Sequence, residues 1–314
     1  MRYLKEIEPY NRFWGNCITN MFISILLKDH PSYEPLIYIN AYEYFSKDRF
    51  YLDYTMEFYN YFSTIFYFNR CNFINRKEFI TELKEVLMNN PYLALNVDLF
   101  YWGKQGAYYN KIHTPHFSFI IGFDDDEEVI YVFEDDVNLH YAIREIPMKE
   151  VIQAFFSDYK DNSEDFRIIT YKDIDIKPYT LDINKVIINA KNIIRSIDQL
   201  IENKCIVDKD ALLTDISNVD FYGYEFGKIS NRLSGNELLF EALGNDGIIN
   251  EKDVNELILD TKEISNKWAL VKNIFYKYCL RNKISEVDKL ENMIIDLSIK
   301  EKEMWLKLIE LSHH

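Results

Sequence analysis

Residues 117–133 constrain the fold of this 314-residue chain more than any other stretch of its sequence. Residues 117–123 form a nearly continuous apolar run, which is typical of a central strand. Five consecutive acidic residues, 124–128, follow as a turn, and residues 129–133 form a second apolar run. Two apolar runs joined by a short polar turn predict an antiparallel β-hairpin.

Strands and helices are also predicted outside this hairpin. Residues 93–99 and 166–171 have the pattern of two further strands, and residues 76–89 form an amphipathic helix that ends before Pro91. Residues 33–70 are rich in tyrosine and phenylalanine, and we expect mixed helix and loop there. A helix-first order followed by antiparallel strands indicates an α+β domain, in which the helices are segregated from the sheet.

The chain becomes helical after about residue 178. Helical periodicity is present in five segments, at residues 183–203, 207–217, 236–244, 251–282 and 285–311. This half therefore predicts a helical bundle or a helical cap on the first domain. We expect two domains, a catalytic domain at 1–178 and an α-helical domain or cap at 179–314.

Composition and charge exclude several classes of function. The net charge of −15 repels phosphate backbones, so we expect no nucleic-acid partner. No run approaches about 18 apolar residues and no signal-peptide pattern is present, so we expect no membrane association and no secretion. Four cysteines without paired spacing predict no disulfide framework and fit a cytoplasmic location. His313 and His314 resemble the remainder of an expression tag.

Cys17 is the strongest candidate for a catalytic nucleophile. Apolar residues recur at helical spacing directly after it, so Cys17 is predicted to begin a helix that ends at residues 29–31. The positive end of a helix dipole favours the thiolate, and a free N–H at the helix start can stabilise an oxyanion. Gly15 permits a close approach and Asn16 suits a turn. The alternative is a small buried apolar side chain, the commonest state of a free cysteine. The other cysteines are predicted to be structural: Cys71 in a polar loop, and Cys205 and Cys279 on helical segments.

His116 is the predicted general base, because it opens the apolar strand and would carry its imidazole on a rigid support. His113 is the competing candidate, but it lies in a loop with Pro115. The two histidines could also bind a metal ion. No second cluster of cysteine or histidine accompanies them, so we expect no metal.

A third group should orient the imidazole of the base, and an oxyanion hole needs a second donor. Three acids, Glu134, Asp135 and Asp136, end the return strand of the hairpin. Asp135 is the first choice and Glu134 the second, whereas the alternative for each is an exposed charge at a strand end. Asn11 lies six residues before Cys17, and its amide suits the second arm of an oxyanion hole. Turn formation is the alternative role for this asparagine.

These residues together resemble the core of the papain-like cysteine proteases. Asn11, Cys17 and His116 have the order of the amide residue, the nucleophile and the base of that superfamily. Gly122-Phe123-Asp124, followed by an acid at the end of the next strand, extends the pattern. The pattern is similar to that of leader peptidases that process double-glycine bacteriocin precursors, and to their relatives in the butirosin acyltransferase family. Residues 96–102, Asn-Val-Asp-Leu-Phe-Tyr-Trp, favour the acyltransferase branch.

The resemblance covers roughly residues 9–140 and implies a fold, an activity and partners. The implied fold is papain-like, with an N-terminal helix on an antiparallel sheet and, as in the acyltransferases, a helical C-terminal half. The implied enzyme is a cysteine acyltransferase or peptide synthetase of nonribosomal natural-product biosynthesis. It would form an amide from a thioester on an acyl or peptidyl carrier protein, with Cys17, His116 and Asp135 as catalytic residues and Asn11 at the oxyanion. The resemblance implies no cofactor apart from the phosphopantetheine arm of the carrier protein. The implied acceptor is a small-molecule amine or a carrier-bound amine.

Two departures from the peptidase pattern leave alternatives open. The peptidases usually have glutamine at the position of Asn11, and they usually end the second strand with Asp-Pro where this chain has Glu134-Asp135-Asp136. The first alternative is a cysteine peptidase with the same triad. The second is a non-catalytic scaffold that binds a carrier protein, with Cys17 and His116 as core residues. A homodimer is compatible with the acyltransferase reading.

Overall fold

The protein is of mixed α+β class, with an antiparallel sheet and helices. The computed structural model describes residues 1–13, 15–39, 41–45, 50–54, 56–136, 139–160, 163–173, 179–203, 206–214, 217–281 and 283–312. The predictions for Cys205 and for the tag residues His313 and His314 lie outside these residues. None of the helices within the described ranges combines the length and the apolarity needed to cross a bilayer.

The first half of the chain contains both strands and helices, and the second half is helical. The strands are β1 (Arg2–Leu4), β2 (Tyr42–Phe45), β3 (Tyr51–Tyr54), β4 (Phe66–Cys71), β5 (Tyr92–Asp98), β6 (Pro115–Asp124), β7 (Val129–Glu134), β8 (Ala142–Pro147) and β9 (Phe166–Tyr171). The helices are α1 (Cys17–Asp29), α2 (Glu34–Tyr38), α3 (Met56–Ile65), α4 (Phe79–Asn89), α5 (Met148–Phe155), α6 (Ile183–Asn203), α7 (Lys209–Thr214), α8 (Ser217–Arg232), α9 (Ser234–Asn245), α10 (Glu251–Leu280) and α11 (Val287–Leu311).

The chain divides into two compact units, neither of which is continuous in sequence. The first unit comprises Met1–Asn11, Asn16–Pro31 and Tyr59–Lys177. The second comprises Arg12–Gly15, Ser32–Phe58 and Pro178–His314. The second unit therefore takes two segments from the range 1–178, which the sequence pattern assigns to one catalytic domain.

The first unit contains a seven-stranded sheet in the order β4-β9-β5-β6-β7-β8, with β1 paired to β6. All its strand pairs are antiparallel. The predicted hairpin is confirmed as β6 and β7, and the two other predicted strands are confirmed as β5 and β9. The predicted amphipathic helix is confirmed as α4, preceded by a 3-10 turn at Arg76–Glu78. Strand β8 was not predicted.

Helices α4 and α5 bury their apolar faces on this sheet. Leu83 and Leu87 of α4 and Phe155 of α5 belong to the same buried cluster as Leu95 of β5 and Val132 of β7. Burying each such side chain contributes about 1.5–3 kcal/mol. The cluster supports the central strands β5, β6 and β7 from one side, and two of these strands carry the candidate site described below.

The second unit combines the β2–β3 hairpin with helices. Tyr42 and Tyr44 of β2 donate their hydroxyl hydrogens to the carboxylate of Glu301 in α11, at 2.5 and 2.6 Å. Glu225 of α8 accepts a hydrogen bond at 3.0 Å from the backbone N–H of Leu52 in β3. These contacts join the hairpin to helices that lie far along the sequence. The expectation of mixed helix and loop at residues 33–70 is therefore wrong for β2, β3 and β4, because tyrosine and phenylalanine also favour strands.

Replacing Glu301 with alanine is expected to destabilise the second unit. Glu301 is fully buried, so its loss leaves two buried tyrosine hydroxyls without their acceptor. The expected cost is about 2–4 kcal/mol, seen as a lower urea midpoint for the loss of helical circular dichroism. Glu303→Ala, at an exposed position on the same helix, is the matched control. Equal midpoints for the two variants would contradict this role for Glu301.

Candidate active site

Cys17 is the first residue of α1, as predicted. The preceding residue, Asn16, has extended backbone geometry and caps the helix: its side chain accepts a hydrogen bond from the backbone N–H of Thr19 at 2.8 Å. An asparagine cap satisfies one of the free N–H groups at the helix start. The cap therefore fixes the residue at which the helix begins, and with it the place of the thiol at the positive end of the helix dipole.

The structure brings Cys17 and His116 together across 99 positions of sequence. The Sγ of Cys17 lies 3.7 Å from Nδ1 of His116, within hydrogen-bonding distance for sulfur. His116 is the second residue of β6 and pairs with Val97 of the neighbouring strand β5. Strand pairing thus fixes the backbone of the histidine, and helix α1 fixes the cysteine.

A carboxylate lies on the other side of the imidazole. The Nε2 of His116 is 3.3 Å from Oε1 of Glu134, the last residue of β7. The angle of this contact lies outside hydrogen-bonding geometry, so it is an ion pair in which Nε2 has no hydrogen-bond partner among the described residues. The side chains of His116 and Glu134 are only 15% and 9% exposed, so solvent screens their interaction weakly.

Trp102 holds the carboxylate of Glu134 in place. The indole Nε1 donates to Oε1 of Glu134 and to Oγ of Ser118, each at 3.1 Å. Trp102 is 2% exposed and follows a 3-10 turn at Leu99–Tyr101. The sequence pattern at residues 96–102 includes this tryptophan, but it gave no reason to assign Trp102 a role in orienting the acid.

The acid beside His116 is Glu134, the second choice from sequence, rather than Asp135. Asp135 forms no ion pair or hydrogen bond with His116 within the described part of the chain. The difference arises from a one-residue register shift between β6 and β7: Gly122 pairs with Tyr131, but Ile120 pairs with Val132. If the register next to the turn had continued without this shift, Asp135 would lie opposite Ser118.

The register shift moves Glu134 opposite Ser118, on the face of β6 that also carries His116. Side chains two residues apart on a strand share a face, so Glu134 becomes a diagonal neighbour of the imidazole. The extra residue of the bulge is Ile121, whose carbonyl accepts a hydrogen bond from the N–H of Lys5 at 2.9 Å. A Cβ on Gly122 would lie 2.4 Å from the carbonyl oxygen of Tyr3, so β1 can pair here only beside a glycine.

The charges around the imidazole of His116 change its pKa. Burial alone would lower the pKa of His116, but the Cys17 sulfur and the Glu134 carboxylate raise that pKa well above its ordinary value. The imidazolium is therefore the favoured form at neutral pH. An imidazolium between a sulfur and a carboxylate stabilises a thiolate, which is the nucleophilic form of cysteine.

Asp135 has a different environment. Burial and the neighbouring Glu134 raise the pKa of Asp135 to about 7, although His116 opposes the shift. The folded protein therefore binds this proton more tightly than the unfolded chain. The stability that it contributes is complete below the ordinary aspartate pKa and is lost as the pH rises through about 7.

Asp135→Asn is expected to stabilise the protein at pH values above about 8 by about 1–3 kcal/mol, because no half-buried carboxylate then has to ionise beside Glu134. The gain in the free energy of unfolding should shrink as the pH falls towards about 4, where the wild-type carboxyl is also neutral. Urea titrations of both proteins across this range measure the difference. A constant difference at all pH values would contradict the raised pKa of Asp135.

Thiol reactivity separates the roles of the two acids. Glu134→Gln is expected to reduce the rate of Cys17 alkylation by iodoacetamide at about pH 6 by about 10- to 100-fold, since it removes the charge that stabilises the imidazolium. Asp135→Asn should change that rate less than about threefold, as it removes no direct contact to the imidazole. Mass spectrometry of the alkylated protein over time measures both rates. A larger loss for Asp135→Asn would return the orienting role to Asp135.

Asn11 is close to the site in the chain but does not contact Cys17. Its Oδ1 accepts a hydrogen bond from the N–H of Tyr141 at 3.2 Å, and no hydrogen bond to Cys17 occurs within the described ranges. The preceding residue, Tyr10, is fixed to α1: its N–H donates to Ser24 Oγ at 2.8 Å, and its carbonyl accepts from Asn20 Nδ2 at 3.0 Å. With Oδ1 engaged, the amide NH2 of Asn11 is the part available to an oxyanion, and that role stays a prediction.

His113, the competing base, lies in a separate cluster. Its Nδ1 is 2.6 Å from Oδ2 of Asp98, and its ring is stacked between Phe100 and Tyr159 at centroid distances of 4.2 and 4.0 Å. The structure shows no contact between His113 and Cys17 in the ranges it covers. In those ranges there is also no group of three or more His, Cys, Asp and Glu side chains suited to hold a metal ion.

The remaining described cysteines differ from Cys17 in their surroundings. Cys71 ends β4 and Cys279 lies in α10, and both are free thiols. Burial raises the pKa of each, assisted at Cys71 by Glu164. A raised pKa lowers the thiolate fraction, so neither is a competing nucleophile.

Comparison of the chain with protein-family models finds no match, and comparison with curated proteins finds no similar one. The geometry of Cys17, His116 and Glu134 therefore carries the functional argument.

Proposed function

We propose that the protein is a papain-like cysteine acyltransferase, which forms an amide from a thioester carried by an acyl or peptidyl carrier protein. The observation that carries the proposal is the Cys17–His116 pair at 3.7 Å, with Glu134 at 3.3 Å behind the imidazole. A thiol at a helix start, a histidine beside it and an acid behind the histidine are the parts that thiol acyl transfer needs. Cys17 is the nucleophile, His116 the base and Glu134 the residue that orients it.

In the first step, the Cys17 thiolate attacks the thioester carbonyl. A bond forms between Sγ and the carbonyl carbon, and the bond from that carbon to the sulfur of the phosphopantetheine arm breaks. The leaving thiolate takes the proton of the His116 imidazolium. The backbone N–H of Cys17 and the amide of Asn11 are the donors proposed for the tetrahedral oxyanion.

In the second step, an amine attacks the acyl group on Cys17. The C–N bond forms, the bond from carbon to Sγ breaks, and the amine proton passes to His116. Thioester and amine are thereby converted to amide and free thiol. The reaction needs no ATP because the thioester is already activated, and the arm of the carrier protein belongs to the substrate, so no bound cofactor is required.

Three features favour transfer to an amine over hydrolysis. The base and its acid are almost buried, which limits the access of water to the imidazole. The resemblance of residues 96–102 to the acyltransferase branch, and the helical C-terminal half, favour the same product. The reaction needs reduced Cys17, which fits a cytoplasmic enzyme of nonribosomal biosynthesis.

The test is to incubate the protein with an acyl thioester on a carrier protein and a small primary amine, and to identify the products by mass spectrometry. We expect an acyl adduct on Cys17 and then the amide. Free acid as the sole product would instead support a hydrolase of the leader-peptidase type. Absence of any adduct on Cys17 would support a non-catalytic scaffold.

A further inference from the structure

A second site is built on the first unit, between the loop of residues 99–114 and helix α5. This pocket is half-open and has a volume of about 470 Å³, within the range of small-molecule sites. The loop contributes Tyr101, Lys104 and Tyr109 to its lining, and α5 contributes Lys149, Glu150 and Gln153. None of these residues belongs to the Cys17 site.

Glu150 is the unusual member of this lining. It is 6% exposed, and its Oε1 accepts a weak hydrogen bond from the hydroxyl of Tyr109 at 3.4 Å. Its Oε2 is buried and has no hydrogen-bond partner among the described residues, and no described cation forms an ion pair with it. An ionised carboxylate buried in this way is costly, so a ligand that supplies a positive N–H donor would relieve the cost.

Two lysines at the rim of the pocket carry a charge opposite in sign to that of Glu150. Lys104 and Lys149 are exposed, and neither forms an ion pair with the part of the chain that the structure describes. A ligand that satisfies Glu150 and the lysines together must carry a cation and an anion. The rings of Tyr101 and Tyr109 provide apolar faces for the rest of the ligand.

The loop that forms one wall of the pocket is held closed at its base. Buried Asp98 accepts hydrogen bonds from the N–H groups of Phe100 at 3.0 Å and Thr114 at 3.2 Å, at the two ends of the loop. It also contacts His113 at 2.6 Å and accepts from Ser157, just after α5, at 2.5 Å. These bonds pre-form the pocket, which reduces the entropy lost on binding.

We propose that this pocket binds an amino-acid-like zwitterion with an apolar side chain. Its ammonium group would donate to Glu150 and its carboxylate would lie between Lys104 and Lys149. Charge-assisted hydrogen bonds at both ends select against molecules with a single charge. One carboxylate oxygen of Glu150 would keep the hydroxyl of Tyr109, and the other, which has no hydrogen-bond partner among the described residues, would meet the ligand.

The experiment uses the full chain and three probes of similar shape: phenylalanine, 3-phenylpropionate without the ammonium, and phenethylamine without the carboxylate. Isothermal titration should show phenylalanine binding at least about tenfold more tightly than either single-charge probe. Equal affinities for the three probes, or no binding of phenylalanine at millimolar concentration, would overturn the proposal.

Two pairs of variants locate the site. Glu150→Gln should weaken phenylalanine binding by at least about tenfold and Lys149→Ala by severalfold, whereas Glu145→Gln and Lys111→Ala, exposed and outside the lining, should not. Without ligand, Glu150→Gln should raise the melting temperature, because a buried charge is removed. A lower melting temperature with unchanged binding would show that Glu150 is only structural.

Discussion

Cys17→Ala is expected to abolish acyl transfer while leaving the fold intact. The substitution removes the sulfur that lies 3.7 Å from the His116 imidazole, and no other described cysteine has a histidine beside it. Loss of the nucleophile should reduce turnover by on the order of 10⁴-fold or more. Intact-protein mass spectrometry after exposure to an acyl thioester should show no adduct, whereas the wild type gains one acyl group.

Cys71→Ala is the matched control for this variant, since it removes a partly buried thiol elsewhere in the same unit. It should keep the wild-type adduct and rate. The circular dichroism spectrum of Cys17→Ala should equal that of the wild type, as the Asn16 cap that starts the helix is unaffected. A Cys17→Ala protein that still formed the amide would remove Cys17 from the mechanism.

His116→Ala is expected to slow acylation of Cys17 by on the order of 10² to 10⁴-fold. The variant removes both the proton acceptor and the imidazolium that stabilises the thiolate. Alkylation of Cys17 by iodoacetamide at about pH 6 should slow in parallel, because the raised pKa of His116 keeps the imidazolium present there in the wild type. The slowing should be smaller above about pH 9, where a thiol forms thiolate unaided.

His113→Ala provides the comparison for the histidine variant. Its imidazole faces Asp98 and two aromatic rings, so its loss should leave the alkylation rate of Cys17 unchanged. Proton NMR of the His116 ring is an independent test of the pair. The pKa of His116 should fall in the Cys17→Ala variant, since the Cys17 sulfur is one cause of the raised value. Equal alkylation losses in both histidine variants would contradict the assignment of His116.

Local patterns in the sequence were enough to predict the hairpin and the helix that starts at Cys17, because each depends on a periodicity that is complete within a few residues. The meeting of Cys17 with His116, 99 positions apart, was expected from the resemblance to the papain-like core and not from a local pattern. The orienting acid could not be predicted in this way. A single bulge near Ile121 decides between Glu134 and Asp135, and the strand that pairs beside it, β1, lies more than a hundred residues earlier in the chain.

Contacts between distant parts of the sequence were likewise hidden. Tyr42 and Glu301 are 259 positions apart, and nothing in either neighbourhood indicates that they share a hydrogen bond. The role of Trp102 depends on an indole N–H reaching a strand that is formed some thirty residues later. The pocket around Glu150 depends on a loop and a helix separated by three strands. Such pairings follow from topology rather than from local composition.

The discontinuous second unit limits how the gene could be divided. A protein truncated after residue 178 would keep the β2–β3 hairpin but lose Glu225 and Glu301, to which that hairpin is bonded. Two tyrosine hydroxyls and a backbone amide would then lose their hydrogen-bond acceptors, and the exposed strands would promote aggregation. Removing the helical half alone would therefore leave the β2–β3 hairpin without its partners, so a shorter version of the chain would also need residues 32–58 replaced by a linker.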